Sequence, residues 1–422
     1  MVMLSSRKQK LHIDIYINII FTDTMSSICL YNGTVISGYA TMENCSVLAE
    51  DGSIADIFSN QRFEQKRLSP ETEIIDVGGA FVVPGFIDTH IHGYCGYGAD
   101  DAIYPEIKPE KDVIECMVEF SRLMARTGLT SFNPTMYPAS KEIMPDAVAK
   151  NVAAMGRESG ARIMGLHLEG PFLSDEKLGV QRPETVFPVD LEFMDKLMRA
   201  SKGHIVNMTV APEIKNMREL ALYCTKRGIV LQAGHTNAGY EHMIEGMQAG
   251  ILHATHMFNA MSKLNQRNPG AVGAILTHPE ISCEIIADGI HVHPDLFRFL
   301  AKNKPMDKIV LVTDSLRCTG QKSGTLYANG EEMALRGGLF KRKEDDVIAG
   351  SAITMMQGVQ NLVKFGFSLE DAVRAASSNP ASVMRYTKKG FLVPGMDADI
   401  TVFDKNYTVL ATMVGGEIRY RN

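Results

Sequence analysis

Short apolar runs recur along the chain from residue 81 onward, each closing on a polar or titratable residue: FVVPGFIDTH (81–90), LTSFNPT (129–135), RIMGLHLE (162–169), HIVNMTVAPE (204–213), GIVLQAGH (228–235), GILHATH (250–256), ISCEIIAD (281–288) and KIVLVTD (308–314). Runs of this length between turn residues are the pattern of strands buried on both faces. Several gaps between them carry a helical period. DVIECMVEFSRLMART (112–127) sets Val113, Met117, Phe120 and Met124 on one stripe, and MRELALYCTKRG (217–228) ends in glycine. Strands alternating with helices predict parallel pairing, and eight such units predict an α/β fold of the (β/α)8 TIM-barrel type over residues 81–389. The flanks differ. SSICLYNGTVISGY and SVLAEDGSIADIFS, within 25–80, carry Asn-Gly and Asp-Gly turn signals, and residues 390–422 hold further strand-like pieces with a glycine turn. They are expected to join as one small β-sandwich domain built from both termini, with residues 1–24 an extension of no assigned structural role.

The polar residues take on meaning by position. In FIDTHIHG (86–93), His90 and His92 are two apart on a predicted strand, so their rings point to one face. A (β/α)8 barrel gathers its chemistry at the C-terminal ends of its strands, and here those ends read His90/His92, Glu169, His235, His256, Asp288 and Asp314. Any one of these is compatible with a core histidine or a capping acid; the combination points to a metal site. Imidazoles and carboxylates without thiolates suit zinc, iron or a similar divalent ion in a hydrolytic role, with one position left for water.

Composition narrows the class. The 422 residues are 45% hydrophobic and 22% charged, which fits a folded globular chain large enough for one barrel with additions. A net charge of −6 gives no reason to expect nucleic acid or an anionic membrane as partner, and an anionic substrate would need a local basic site. Seven scattered cysteines without a C-x-x-C pair suggest neither a disulfide framework nor a thiolate zinc site, and fit a reducing cytoplasm. No run of about 18 apolar residues occurs. The opening MVMLSSRKQKLHIDIYINIIFTDTM is interrupted by His12, Asp14 and Asn18 and lacks a small-residue cleavage site, so it is not read as a secretion signal; Met25 is a candidate natural start.

PGFIDTHIHG (84–93), GLHLEGPFL (165–173), APE (211–213), GHTNA (234–238), THMFNAM (255–261), R-x-PG (267–270), ADGIHV (287–292), VTDS (312–315), AGSAITM (349–355) and GMDADITVFD (395–404) resemble the amidohydrolase superfamily, and more closely its N-acetylglucosamine-6-phosphate deacetylases. The resemblance implies hydrolysis of an N-acetyl amino-sugar phosphate, with Glu169, His235 and His256 on the principal metal and His90 and His92 matching a pair that helps build a second metal site in some members. It makes Asp314 the catalytic aspartate, also able to close the second site, and His291 a contact near the reacting end of the substrate. Asn259, Ala260 and Arg267 look like phosphate and sugar contacts, joined by backbone from Val180, Ile348, Ala349 and Gly350. Arg267 is expected to reach across a homodimer interface.

Two departures stand out: GVQ (179–181) where relatives often have GAH or GAQ, and SLRCTG (315–320) in place of an alanine-rich stretch. Both are expected to border the sugar, which leaves N-acetylgalactosamine 6-phosphate open as an alternative substrate. A cyclic-amide hydrolase would use a carboxylated lysine on the fourth strand, and IVNMTVAPE has none. A barrel kept as a non-catalytic scaffold should show eroded ligands, and every principal ligand is present. His167 is expected to be a packed core histidine.

Overall fold

The computed structural model describes residues 27–107, 111–322 and 324–422; the extension expected at 1–24 lies outside them. The eight apolar runs form parallel strands at Phe86–Ile91, Leu129–Met136, Leu166–Glu169, Ile205–Val210, Val230–Ala233, His253–Ala254, Ser282–Ile286 and Ile309–Val312, each paired with the next in chain order. The ring closes between the eighth strand and the first, where the Asp314 N–H donates to the His90 carbonyl (2.9 Å) and the His92 N–H to the Ser315 carbonyl (3.0 Å). This is a TIM barrel. The helix read from the 112–127 stripe runs Val113–Ala125, with Asp112 accepting from the Ile114 N–H as its cap and Val113, Met117, Phe120 and Met124 buried.

Beneath the strand ends the barrel interior is polar. Asn133 donates to Asn207 (3.2 Å), Asn207 to the Thr89 carbonyl (3.1 Å), and Gln232 to Glu284 (3.0 Å). His167 lies between the hydroxyls of Thr135 and Thr209, 3.0 Å from each, as a packed core histidine. Alternation along the strands sends Leu168, Met208 and Val210 into the main apolar core and leaves Asn207 and Thr209 in the buried network. Because its members satisfy one another, this network is a rigid floor for the groups above it.

The boundary at residue 81 needs correction. Phe81–Pro84 belongs to the small sheet, paired antiparallel with Ile400–Phe403 and parallel with Thr34 and Val35. The chain crosses to the barrel at Pro84–Gly85, where a Cβ on Gly85 would come within 2.2 Å of Thr130, so only glycine allows the close approach. The small sheet does combine both termini, and it is one continuous sheet folded over its own core. Ile54 and Met413, from opposite ends of the strand order, share that core with Leu30, Val82 and Ile400.

A three-stranded antiparallel sheet, Leu326–Ala328, Glu331–Arg336 and Leu339–Arg342, follows the eighth barrel strand and was not legible in the strand–helix rhythm. Its Ala328, Met333 and Phe340 pack on Tyr137, Val180, Leu316 and Ala349, which places it as a wall over the C-terminal face of the barrel.

Candidate metal centre and substrate cavity

Glu169, at the end of the third strand, is the hub. His235 and His256 approach it from just beyond the fifth and sixth strands, with Nε2 atoms 3.1 and 3.2 Å from Glu169 Oε1 and 3.1 Å from each other. Both sit on left-handed backbone, φ 45° and 27°, as does Asp314 at φ 48°. Non-glycine residues in this region cost of order 1–3 kcal/mol each, and they persist where the surroundings impose them, most often at functional sites. The Nδ1 of His235 lies 2.8 Å from the Lys177 carbonyl. A carbonyl only accepts, so the ring donates there and turns its Nε2 toward Glu169 Oε1.

On the other side, His90 has Nδ1 2.9 Å from Glu284 Oε2. Its Nε2 is fully buried, has no hydrogen-bond partner, and lies 3.5 Å from both Glu169 Oε1 and Asp314 Oδ1. The Nε2 of His92 is 3.4 Å from Glu169 Oε2 and from Asp314 Oδ1, and its ring stacks on Tyr137. Ring nitrogens thus face carboxylate oxygens on both sides of Glu169, an arrangement that shared protons or a cation stabilise.

The electrostatics say the same. Burial opposes the charged form of His90, but Glu284, Asp314 and Glu169 outweigh it and raise its pKa to about 10. Burial likewise opposes His92, which Asp314 and Glu169 raise to about 9. Although burial works against ionisation, the imidazoles hold Asp314 below, and Glu169 well below, the usual carboxylate range. The ligand atoms of His90, His92 and Glu169 lie within 4.8 Å of one another, as do those of Glu169, His235 and His256. The residues fit a divalent cation: imidazoles and carboxylates, with Glu169 common to both groups.

A cavity of about 620 Å³ opens beside this cluster. Val180, Asn259, Ala260, His291, Ile348, Ala349 and Gly350 line it together with His92, Glu169, His235, His256 and Asp314. Arg267 does not; it is exposed and lies off the cavity of its own chain. Asp288 is not in the metal cluster either. Its carboxylate accepts from His291 Nδ1 at 2.6 Å and from the Ile290 and His291 N–H groups, which orients the His291 ring. Burial raises the Asp288 pKa, but these bonds lower it further, and despite its own burial His291 is raised by the same contact.

Of the two departures, only GVQ borders the cavity. Gln181 donates to Glu169 Oε2 at 2.8 Å. SLRCTG is instead largely buried: Arg317 pairs with Asp101 at 2.7 Å, and the Thr319 and Arg317 carbonyls accept from the Cys95 and Gly96 N–H groups, both at 2.7 Å, in the hairpin of residues 93–98 that follows the first strand. Cys95 and Cys318 are not cavity-lining residues. Glu284 was not among the expected site residues; its signal was an acid inside the otherwise apolar run ISCEIIA. Nor was the Lys177 carbonyl, a backbone group that no side-chain pattern marks.

An amidohydrolase family model matches residues 81–419. The N-acetylglucosamine-6-phosphate deacetylase of Bacillus subtilis (strain 168) is 31% identical over 402 residues, covering 93% of this chain and 97% of the relative. Among solved structures, the N-acetylglucosamine-6-phosphate deacetylase of Pasteurella multocida superposes with a TM-score of 0.84 at 27% identity, covering 94% of this chain and 100% of that one. A point mutant of the Mycobacterium smegmatis deacetylase, solved in complex with N-acetyl-D-glucosamine-6-phosphate, gives 0.83 at 26% identity, covering 94% and 99%. With strand ends, hub glutamate and near full-length likeness in agreement, the chain belongs to the amidohydrolase family and, within it, to the N-acetylglucosamine-6-phosphate deacetylases.

Proposed function

We propose that the chain hydrolyses the acetamide of N-acetylglucosamine 6-phosphate, giving glucosamine 6-phosphate and acetate. The observation that carries this reading is the convergence of four imidazoles and Asp314 on Glu169 at the wall of a sugar-sized cavity. The complex of the Mycobacterium smegmatis relative with N-acetyl-D-glucosamine-6-phosphate supports the choice of substrate.

In this reading Glu169, His235 and His256 would hold the principal cation, zinc or iron, and His90 and His92, together with Glu169 and Asp314, would hold a second. A cation held there would supply a Lewis acid for the acetyl carbonyl and lower the pKa of water. Asp314, kept ionised by its imidazole neighbours, takes the proton of the attacking water and returns it to the leaving amine. His291, steered by Asp288, supports the oxyanion as the carbonyl becomes tetrahedral. Asn259 and Ala260, with backbone from Val180, Ile348, Ala349 and Gly350, hold the sugar and its phosphate. Arg267 completes the phosphate contact from a second copy of the chain, which makes the working form a homodimer; an arginine fork suits a phosphate well. Seven free cysteines support a cytoplasmic setting, and no helix among the described residues is long and apolar enough to cross a membrane.

Acetate release from a panel of N-acetylated sugars and their 6-phosphates tests the reading. Turnover should be highest with N-acetylglucosamine 6-phosphate; preference for the galactosamine epimer, or no acetate from any member, would contradict it.

A further inference from the structure

Glu284 is a fully buried carboxylate on the seventh barrel strand, and the mechanism above gives it no step. Its Oε2 lies 2.9 Å from His90 Nδ1 and accepts from the His256 backbone N–H at 3.2 Å. Its Oε1 accepts from Gln232 Nε2 at 3.0 Å and lies 3.7 Å from His253 Nε2. A charge held this deep without a full set of partners would be strongly destabilising, so its position has a reason beyond packing. Its contacts also join the two sides of the site: the ring of His90 on one, the backbone that carries His256 on the other.

We propose that Glu284 is the positioning residue that makes the His90/His92 side a cation site, an inference that rests on the two-cation reading above. Two physical effects combine. First, a carboxylate accepts only, so it fixes the His90 proton on Nδ1 and leaves the Nε2 lone pair aimed between Glu169 and Asp314, the orientation that a metal-binding imidazole needs. Second, charge: Glu169 and Asp314 alone carry −2, which one divalent ion neutralises and a second leaves at +2. With Glu284 the three carboxylates carry −3, and two ions leave +1. A buried +1 is far less costly than a buried +2, so Glu284 selectively favours the second ion. Asp88, another buried carboxyl near His90, accepts from the Thr313 hydroxyl at 2.6 Å and from the Thr313 and His90 backbone N–H groups.

The test uses the full chain stripped of metal and titrated with Zn²⁺ alone, with bound zinc and the melting temperature as readouts. Wild type should take about two ions per chain. Glu284→Gln, which keeps size and removes charge, should bind the first with unchanged affinity and the second about 10–100-fold more weakly. The zinc-induced rise in melting temperature should shrink with it. If Glu284→Gln takes both ions as tightly as wild type, or melts lower by the same amount with and without zinc, Glu284 only packs the barrel and the proposal is overturned. Wild type saturating at one ion overturns the two-cation reading, and the proposal with it, before any variant is compared. Should Glu284→Gln fail to fold, the ring ¹H–¹⁵N spectrum of zinc-loaded wild type decides: His90 protonated on Nδ1 supports the proposal, and on Nε2 overturns it.

Discussion

The two histidine pairs that face Glu169 are built in different ways. His90 and His92 lie on or directly after a regular strand, inside the barrel wall, and His90 is held by the buried carboxylate of Glu284. His235 and His256 stand beyond their strand ends on left-handed backbone, and His235 is held by a main-chain carbonyl from the loop after the third strand. One pair depends on the barrel's interior, the other on loops laid over its rim. The first inherits its geometry from the strand period, whereas the second needs strain that the surrounding loops must sustain. Glu169 is the atom-level meeting point of both.

That difference can be broken in order of severity. Glu169→Gln strikes both sides at once and should abolish measurable acetate release, with zinc content after reconstitution falling on both; retention of either ion with substantial turnover would separate the hub from the site. Asp314→Asn keeps size and loses basicity. It should lower kcat by about 10²–10⁴-fold in steady-state assays while the fold, read by circular dichroism, is unchanged. A double His90→Ala/His92→Ala variant sharpens the comparison itself: metal analysis should give about one ion per chain instead of two, with turnover reduced rather than lost. Activity as low as that of Asp314→Asn would mean that the strand pair is as essential as the loop pair.

The smallest effect belongs to Arg267, which touches neither pair. Loss of a charged hydrogen bond, worth about 1.5–3 kcal/mol, predicts a KM about 10- to 100-fold higher for the phosphorylated sugar after Arg267→Ala, and little change for the unphosphorylated one. Equal shifts for both sugars would remove the phosphate role.

The eight strands were legible because parallel strands covered on both faces must be apolar and short, and H-x-H was legible because a period of two needs no knowledge of the fold. The polar floor was less so: Asn133, Asn207 and Gln232 look like interruptions in apolar runs until barrel closure brings them together. Glu284 was hidden for the same reason, since its partners lie 194 and 52 residues away along the chain. Asp288 shows how little a strand end says alone. It stood among the polar strand ends without a role of its own, and the chain turns there and spends the carboxylate on His291, three residues on. The assignment of Phe81–Pro84 failed because an apolar run does not say which of two adjoining sheets it joins; Pro84, which has no N–H to donate, marks the crossing.

The most direct test of the two-sided, metal-dependent site is acetate release from N-acetylglucosamine 6-phosphate by metal-stripped protein as Zn²⁺ or Fe²⁺ is added back. No significant turnover is expected without metal, most of it should return with the first ion per chain at Glu169, His235 and His256, and a further rise should follow the second. Full turnover in the presence of a strong chelator, or none at any metal loading, would contradict it.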